Sequence, residues 1–245
     1  MQYKRIISLV PSLTELIIDF GLQEQLVGRT RFCIHPKVKL KRIPIIGGTK
    51  NPSIDKILSL APDLIIANKE ENRKEDILQL SKYVEVVTTE IDTVEEALKW
   101  INVLGNKLEV EERSSALVTE ISNLNPSSNS YQKIRTAYFI WKDPWMSVGN
   151  DTYIHDVMKS FGLGNIFEDE TRYPSINLEK ISSLSPELIL LSSEPYPFKE
   201  THIQEIKNIC PKSTIQLIDG EWFSWYGSRM VPAFKELRNW RESLS

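Results

Sequence analysis

Side chains able to do chemistry are unevenly spread along these 245 residues. Four of the six tryptophans, Trp141, Trp145, Trp222 and Trp225, fall in expected loops of the second half, with Tyr173, Phe223 and Tyr226 close to them in sequence. Trp141 and Trp145 flank a Lys-Asp-Pro turn after a strand-like run, and Glu221-Trp222-Phe223-Ser224-Trp225-Tyr226-Gly227 follows another, 216–219. Loops beyond the carboxyl ends of strands line the ligand crevice of open α/β sheets, so large rings there would wall a ligand. Covering the edge of the core is the alternative. Glu221 and Arg229 bracket the aromatic run and could orient a ligand through hydrogen bonds or charge, or form a solvated pair at a helix start.

Signals for catalysis are poor. The chain contains no G-x-S-x-G, no G-x-x-x-x-G-K-[ST], no H-E-x-x-H and no C-x-x-C. His35, His155 and His202 lack surrounding Cys, His or carboxylate side chains at metal-ligand spacing, so no metal site is assigned. Gly47-Gly48-Thr49 after a strand-like 44–46 reads as a turn, with a phosphate contact as the alternative.

The elements that must hold these loops repeat. Residues 54–67 read I-D-K-I-L-S-L-A-P-D-L-I-I-A, and residues 178–191 read L-E-K-I-S-S-L-S-P-E-L-I-L-L. Seven of the fourteen positions are identical and two more exchange Asp for Glu, at an offset of 124 residues, about half the chain. Such spacing suggests two similarly built lobes with a cleft between them rather than a short-period solenoid. In each copy a short apolar-striped helix, started by Asn51-Pro52-Ser53 or by Asn177, stops at a proline before a buried strand.

A hydrophobic content of 41% suits a soluble globular α/β protein, and a net charge of −3 gives no electrostatic footprint for nucleic acid. The basic stretch 37–42 reads as a solvated connection. Cys33 and Cys210 support no disulfide framework, and their redox state is left open. No stretch approaches the length of a membrane span. Residues 1–10 carry a charge and then an apolar run, but that run is too short for a signal core and meets Pro11, so it reads as a first buried strand.

Alternating strand and helix signals over 1–92 imply a mostly parallel sheet covered by helices, with Ser12 to Glu15 read as a capping box and Gly21 closing the helix that follows. From 93 to 125, Val94, Ala97, Leu98, Ile101, Leu104 and Leu108 keep helical spacing. A continuous helix there would span about 45 Å and bridge two lobes; two helices meeting at Gly105-Asn106 are the alternative. Residues 125–130 read as a loop, and strand and helix alternation resumes over 126–245. The expected fold is therefore α/β: two lobes with mostly parallel sheets joined by one long backbone helix.

This order of parts resembles the substrate-binding proteins of ABC importers of the cobalamin and iron-siderophore type, class III periplasmic binding proteins. The resemblance runs from Arg5-Ile6-Ile7-Ser8-Leu9-Val10-Pro11-Ser12-Leu13-Thr14-Glu15 through Ser59-Leu60-Ala61-Pro62-Asp63-Leu64-Ile65, Gly164-Asn165-Ile166-Phe167 and Ser183-Leu184-Ser185-Pro186-Glu187-Leu188-Ile189. It implies a non-enzymatic monomer that holds a small-molecule metal complex in the interlobe cleft and docks on a permease dimer. It also implies that Asp55 and Glu179, matching one glutamate on each lobe of cobalamin-type members, contact permease arginines. By register the implied ligand positions are Ser12, Phe32, Trp145, Tyr173, Glu221 and Trp225, with Trp222 and Arg229 beside them. Thr49 and Lys69 stand where the cobalamin pattern has tryptophan, which makes that wall more polar. A corrinoid such as cobalamin is favoured, while Lys69 and Arg229 would suit an anionic ferric siderophore, and haem is a further candidate. The family implies an extracytoplasmic location. Without a signal segment, a cytoplasmic corrinoid- or tetrapyrrole-handling enzyme or chaperone is the competing expectation; a pure interaction module would explain the repeat but not the loop tryptophans.

Overall fold

The computed structural model describes residues 2–126 and 130–244. Of the expected loop at 125–130, residues 127–129 lie outside the described residues.

Four parallel strands, β1 (Ile6–Ser8), β2 (Leu26–Arg29), β3 (Leu64–Asn68) and β4 (Glu85–Thr89), form one sheet in the order β2-β1-β3-β4. A second parallel sheet, β5 (Ile134–Phe139), β6 (Leu163–Asn165), β7 (Leu188–Ser192) and β8 (Thr214–Ile218), has the order β6-β5-β7-β8. The central strands β3 and β7 are buried along their whole length, as a strand covered on both faces requires. Edge strands β4 and β8 share one exposure pattern, open at the first residue and buried at the last. The repeat read in the sequence is thus a repeat of topology.

Its details match to the residue. Helix α1 spans Pro11–Asp19, α2 Ile54–Ser59 and α3 Lys74–Leu80; in the second half, α6 spans Tyr153–Ser160, α7 Leu178–Leu184 and α8 Glu200–Lys207. The Ser53 side chain caps α2 by accepting from the Lys56 amide, and Asn177 caps α7 through the Lys180 amide. Both helices are followed by a left-handed residue, Ala61 (φ 44°) and Ser185 (φ 47°). The Arg5 guanidinium donates to the Leu60 and Ala61 carbonyls while its amide donates to Asp63; Arg135 does the same with Leu184 and Glu187. These clamps tie the carboxyl end of each helix to the start of the neighbouring central strand. The amino ends of α2 and α7 consequently lie at the carboxyl edges of their sheets.

Residues 93–125 are two helices, α4 (Val94–Lys107) and α5 (Glu111–Leu124), not one. The break comes three residues later than the expected one, where Glu109 adopts a left-handed φ of 56°. Gly105 is helical, and its lack of a side chain serves packing: a Cβ there would come within 2.2 Å of the Ser114 side chain on α5.

Two compact units result among the described residues: 2–91 with Glu95–Ser122 and Tyr226–Val231, and Asp92–Val94 with Asn123–Trp225 and 232–244. Ile7, Leu9, Ile46, Ile57, Ile65 and Leu80 centre the first core; Ala137, Phe139, Trp145, Phe167, Ile181 and Leu191 centre the second.

Three further expectations change. Helix α1 starts at Pro11 behind Val10, which makes no side-chain cap, so Ser12 and Glu15 form no capping box; Pro at the first helical position suffices. The aromatic run is not all loop, because Glu221–Ser224 forms a one-turn helix, α9, ahead of α10 (Met230–Glu242). Helix α3 and strand β6 had no strong sequence signal: α3 lacks a side-chain cap, and β6 is only Leu-Gly-Asn.

Candidate functional site

In the first unit four assigned ligand positions sit beyond the carboxyl end of a strand or in the loop beside it. Ser12 follows β1, Phe32 follows β2, Lys69 follows β3, and Thr49 lies in the loop between β2 and α2. Phe32 is about half exposed, with the Arg31 guanidinium 5.8 Å from its ring centre. Gly48 permits this arrangement, since a Cβ there would meet Asn51 at 2.3 Å and the Phe32 ring at 3.4 Å.

Two asparagines that stand in no sequence motif knit these loops together. Asn72 donates to the carbonyls of Thr49 (3.0 Å) and Leu9 (3.3 Å) and accepts from the Asn68 amide (2.9 Å). Asn68 donates to Thr89 Oγ1 (3.0 Å) and accepts from the amides of Glu70 and Glu71. Both are buried, and their four-residue spacing straight after an apolar strand was the available signal.

Each cation assigned to this unit has a carboxylate partner. Lys69 pairs with Glu90. Arg229, carried back into the unit by Tyr226–Val231, donates from Nε to Glu15 Oε2 at 2.9 Å and from Nη2 to Glu15 Oε1 at 2.6 Å. Burial raises the Glu15 carboxyl above the usual glutamate range, partly opposed by the Arg229 hydrogen bonds.

In the second unit the assigned aromatics divide. Trp145 is 7% exposed, stacks on Phe198 at 5.5 Å and meets the edge of Phe139 at 5.4 Å within the core. Trp141, on the same turn, is 40% exposed and packs edge-on against Tyr196. Tyr173 is half-buried beneath the Arg172 guanidinium, and Trp222 is half-buried on α9 after Glu221.

Trp225 is buried, and its indole Nε1 donates to Glu194 Oε1 at 3.0 Å. The same oxygen accepts from Ser224 Oγ at 2.6 Å, and the Glu194 carbonyl accepts from Ser192 Oγ, which in turn accepts from the Tyr138 hydroxyl. Gly220 leaves room for this chain, because a Cβ there would lie 2.6 Å from Glu194 Cγ. Burial, with Glu221 and Asp219 nearby, pushes the Glu194 carboxyl up, against the two hydrogen bonds it accepts. Glu194 stands in no motif and was missed; its only sequence signal is its place two residues past β7.

Asp55 and Glu179 occupy the second positions of α2 and α7. Both carboxylates are exposed, and neither has an ion-pair partner among the described residues. A first-turn acid complements a helix dipole by about 0.3–1 kcal/mol, so an exposed acid there needs no further partner to be tolerated. Cys33 and Cys210 are free and buried. His202 is structural, its Nδ1 accepting from the Lys199 amide at 2.8 Å.

The family described as Periplasmic binding protein matches residues 6–209. The chain is 23% identical to a vitamin B12-binding protein of Pectobacterium carotovorum over 99% of its length and 90% of the relative's. Among solved structures, the periplasmic vitamin B12 binding protein BtuF of Vibrio cholerae superposes with a TM-score of 0.83 at 22% identity, covering 98% and 97% of the two chains. The periplasmic heme binding protein HutB of Vibrio cholerae gives 0.81 at 19% identity, covering 98% of each.

Proposed function

We infer that this chain, which belongs to the periplasmic binding protein family, is the substrate-binding component of an ABC importer and carries a corrinoid. In this reading it works outside the cytoplasm, by binding rather than by catalysis, and hands its ligand to a permease dimer. Relatives over nearly the whole length bind vitamin B12, and solved neighbours of the same fold bind vitamin B12 or haem.

One observation favours a corrinoid over an anionic ferric siderophore. Lys69 and Arg229, the two cations assigned to ligand, are each held by a carboxylate, Glu90 and Glu15. A chelate bearing several carboxylates or catecholates would have to displace Glu15 from the partly buried Arg229, whereas the exposed Lys69–Glu90 pair opposes it little. A corrinoid, largely apolar over its faces and edged with amides, asks for aromatic surface and neutral hydrogen-bonding groups. Phe32, Tyr173 and Trp222 supply the first, Ser12 and Thr49 the second, Glu221 adds a carboxylate that can accept from an amide edge, and Trp225 is a ring oriented by Glu194. Residues 1–92 and 126–245 carry these positions, with 93–125, now a helix pair, connecting them along the chain. Asp55 and Glu179 are the proposed docking points for permease arginines.

Tryptophan fluorescence tests this directly. Titration with cobalamin, haemin and a ferric siderophore should give saturable quenching by the corrinoid, reduced in Trp222→Ala. Absence of a response to all three would overturn it.

A further inference from the structure

Residues 25–54 contain seven lysines and arginines and no aspartate or glutamate, in a chain whose net charge is −3. Lys37, Lys39, Lys41 and Arg42 are exposed. Unlike Lys69, Lys107, Lys142 and Lys180, which all pair with glutamates, these four have no carboxylate partner among the described residues. The same segment exposes aliphatic side chains: Val38 at 77%, Ile34 at 49% and Ile45 at 44%.

The backbone beneath them is well held. Leu40 and Ile43 are buried, and buried Cys33 lies within hydrogen-bond distance of Thr14 and Thr30. Arg29 donates to the carbonyls of Thr30, Cys33 and Leu40, and Gln23 donates to that of Lys39. A short 3-10 turn, Lys39–Arg42, completes the segment. The result is a folded platform whose unpaired cations alternate with outward aliphatics.

We propose that this platform rests on the anionic headgroup surface of a lipid bilayer. Unpaired lysines gain from anionic headgroups, and their alkyl stems together with Val38 and Ile34 gain from the apolar layer just beneath. Val38, between Lys37 and Lys39, decides between partners: a soluble anion or a nucleic-acid phosphate offers it nothing, whereas a bilayer answers both kinds of side chain. The inference is independent of which ligand the protein carries.

The test is co-sedimentation of the full chain with vesicles of phosphatidylcholine alone and of phosphatidylcholine mixed with phosphatidylglycerol. Binding should need phosphatidylglycerol and weaken in about 0.5 M salt, where the screening length falls below about 5 Å. Lys37→Glu/Lys39→Glu/Lys41→Glu should lower partition at least about tenfold, the charge-retaining arginine triple should keep it, and Val38→Asp should lower it several-fold. An unchanged far-ultraviolet circular dichroism spectrum and melting temperature in each variant would show that the fold is retained. No partition onto the anionic vesicles, or equal partition of the parent and the glutamate triple, would overturn the proposal; an acidic protein face would then be the partner for the patch.

Discussion

The Glu15 carboxylate and the Arg229 guanidinium, 214 residues apart, meet as a two-bond fork in the first unit. The pair anchors Tyr226–Val231, the one late segment that returns to this unit, onto α1. In the proposed function it also neutralises a cation that would suit an anionic ligand.

Removing one partner leaves the other partly buried and uncompensated. Glu15→Ala should therefore cost about 2–3 kcal/mol in denaturant unfolding, toward the low end of what breaking a buried pair costs because Arg229 keeps some solvent contact. Glu15→Gln should also raise affinity for an anionic ferric chelate, by freeing Arg229. A loss below about 0.5 kcal/mol would place the pair with ordinary surface ion pairs.

Trp145 and Trp222 should respond in opposite ways. Trp145→Ala empties a core position between Phe139 and Phe198 and should cost about 3–5 kcal/mol, with ligand affinity of the folded fraction unchanged. Trp222→Ala should leave the melting temperature within a few degrees and weaken the ligand. The reverse pattern would return Trp145 to the site.

Glu194 supplies a pH dependence of defined sign. Its folded carboxyl lies above the usual glutamate value, about 4.3, so the folded state binds the proton more tightly than the unfolded state does. Its contribution to stability is present below that value and is lost as pH rises through the folded value. Melting curves of Glu194→Gln against the parent should show the variant gaining relative stability as pH rises from 4 toward neutrality. A flat difference, or one of opposite slope, would contradict this environment.

Asp55→Lys/Glu179→Lys should abolish ligand-dependent stimulation of the permease ATPase while ligand quenching stays intact. Each single reversal should give an intermediate loss, because the two acids hold equivalent places on α2 and α7. Full stimulation in the double variant would remove both from the docking role.

How far the sequence carried the description depended on the range of the interactions concerned. Strands β3 and β7 were legible because buried apolar runs need no partner to be recognised, and the Ser53 and Asn177 caps act within three residues. Glu15 misled because Ser-x-x-Glu is also the local pattern of a capping box, and its true partner lies near the other end of the chain. Trp141 and Trp145 are four residues apart on one turn. The bridge of Met146 to Trp141 and Ser175 sets the alternation that sends Trp145 inward, and Ser175 was not readable as a neighbour. The exact position of the break after α4 escaped because a left-handed Glu109 carries no glycine to announce it.

Calorimetric titration tests the central claim most directly, with cobalamin, haemin and a ferric catecholate added separately to the purified chain. One corrinoid should bind per chain, at least about tenfold more tightly than the anionic chelate, a difference of about 1.4 kcal/mol. A chain that takes up the ferric catecholate preferentially, or gives no saturable heat with cobalamin, would contradict the account.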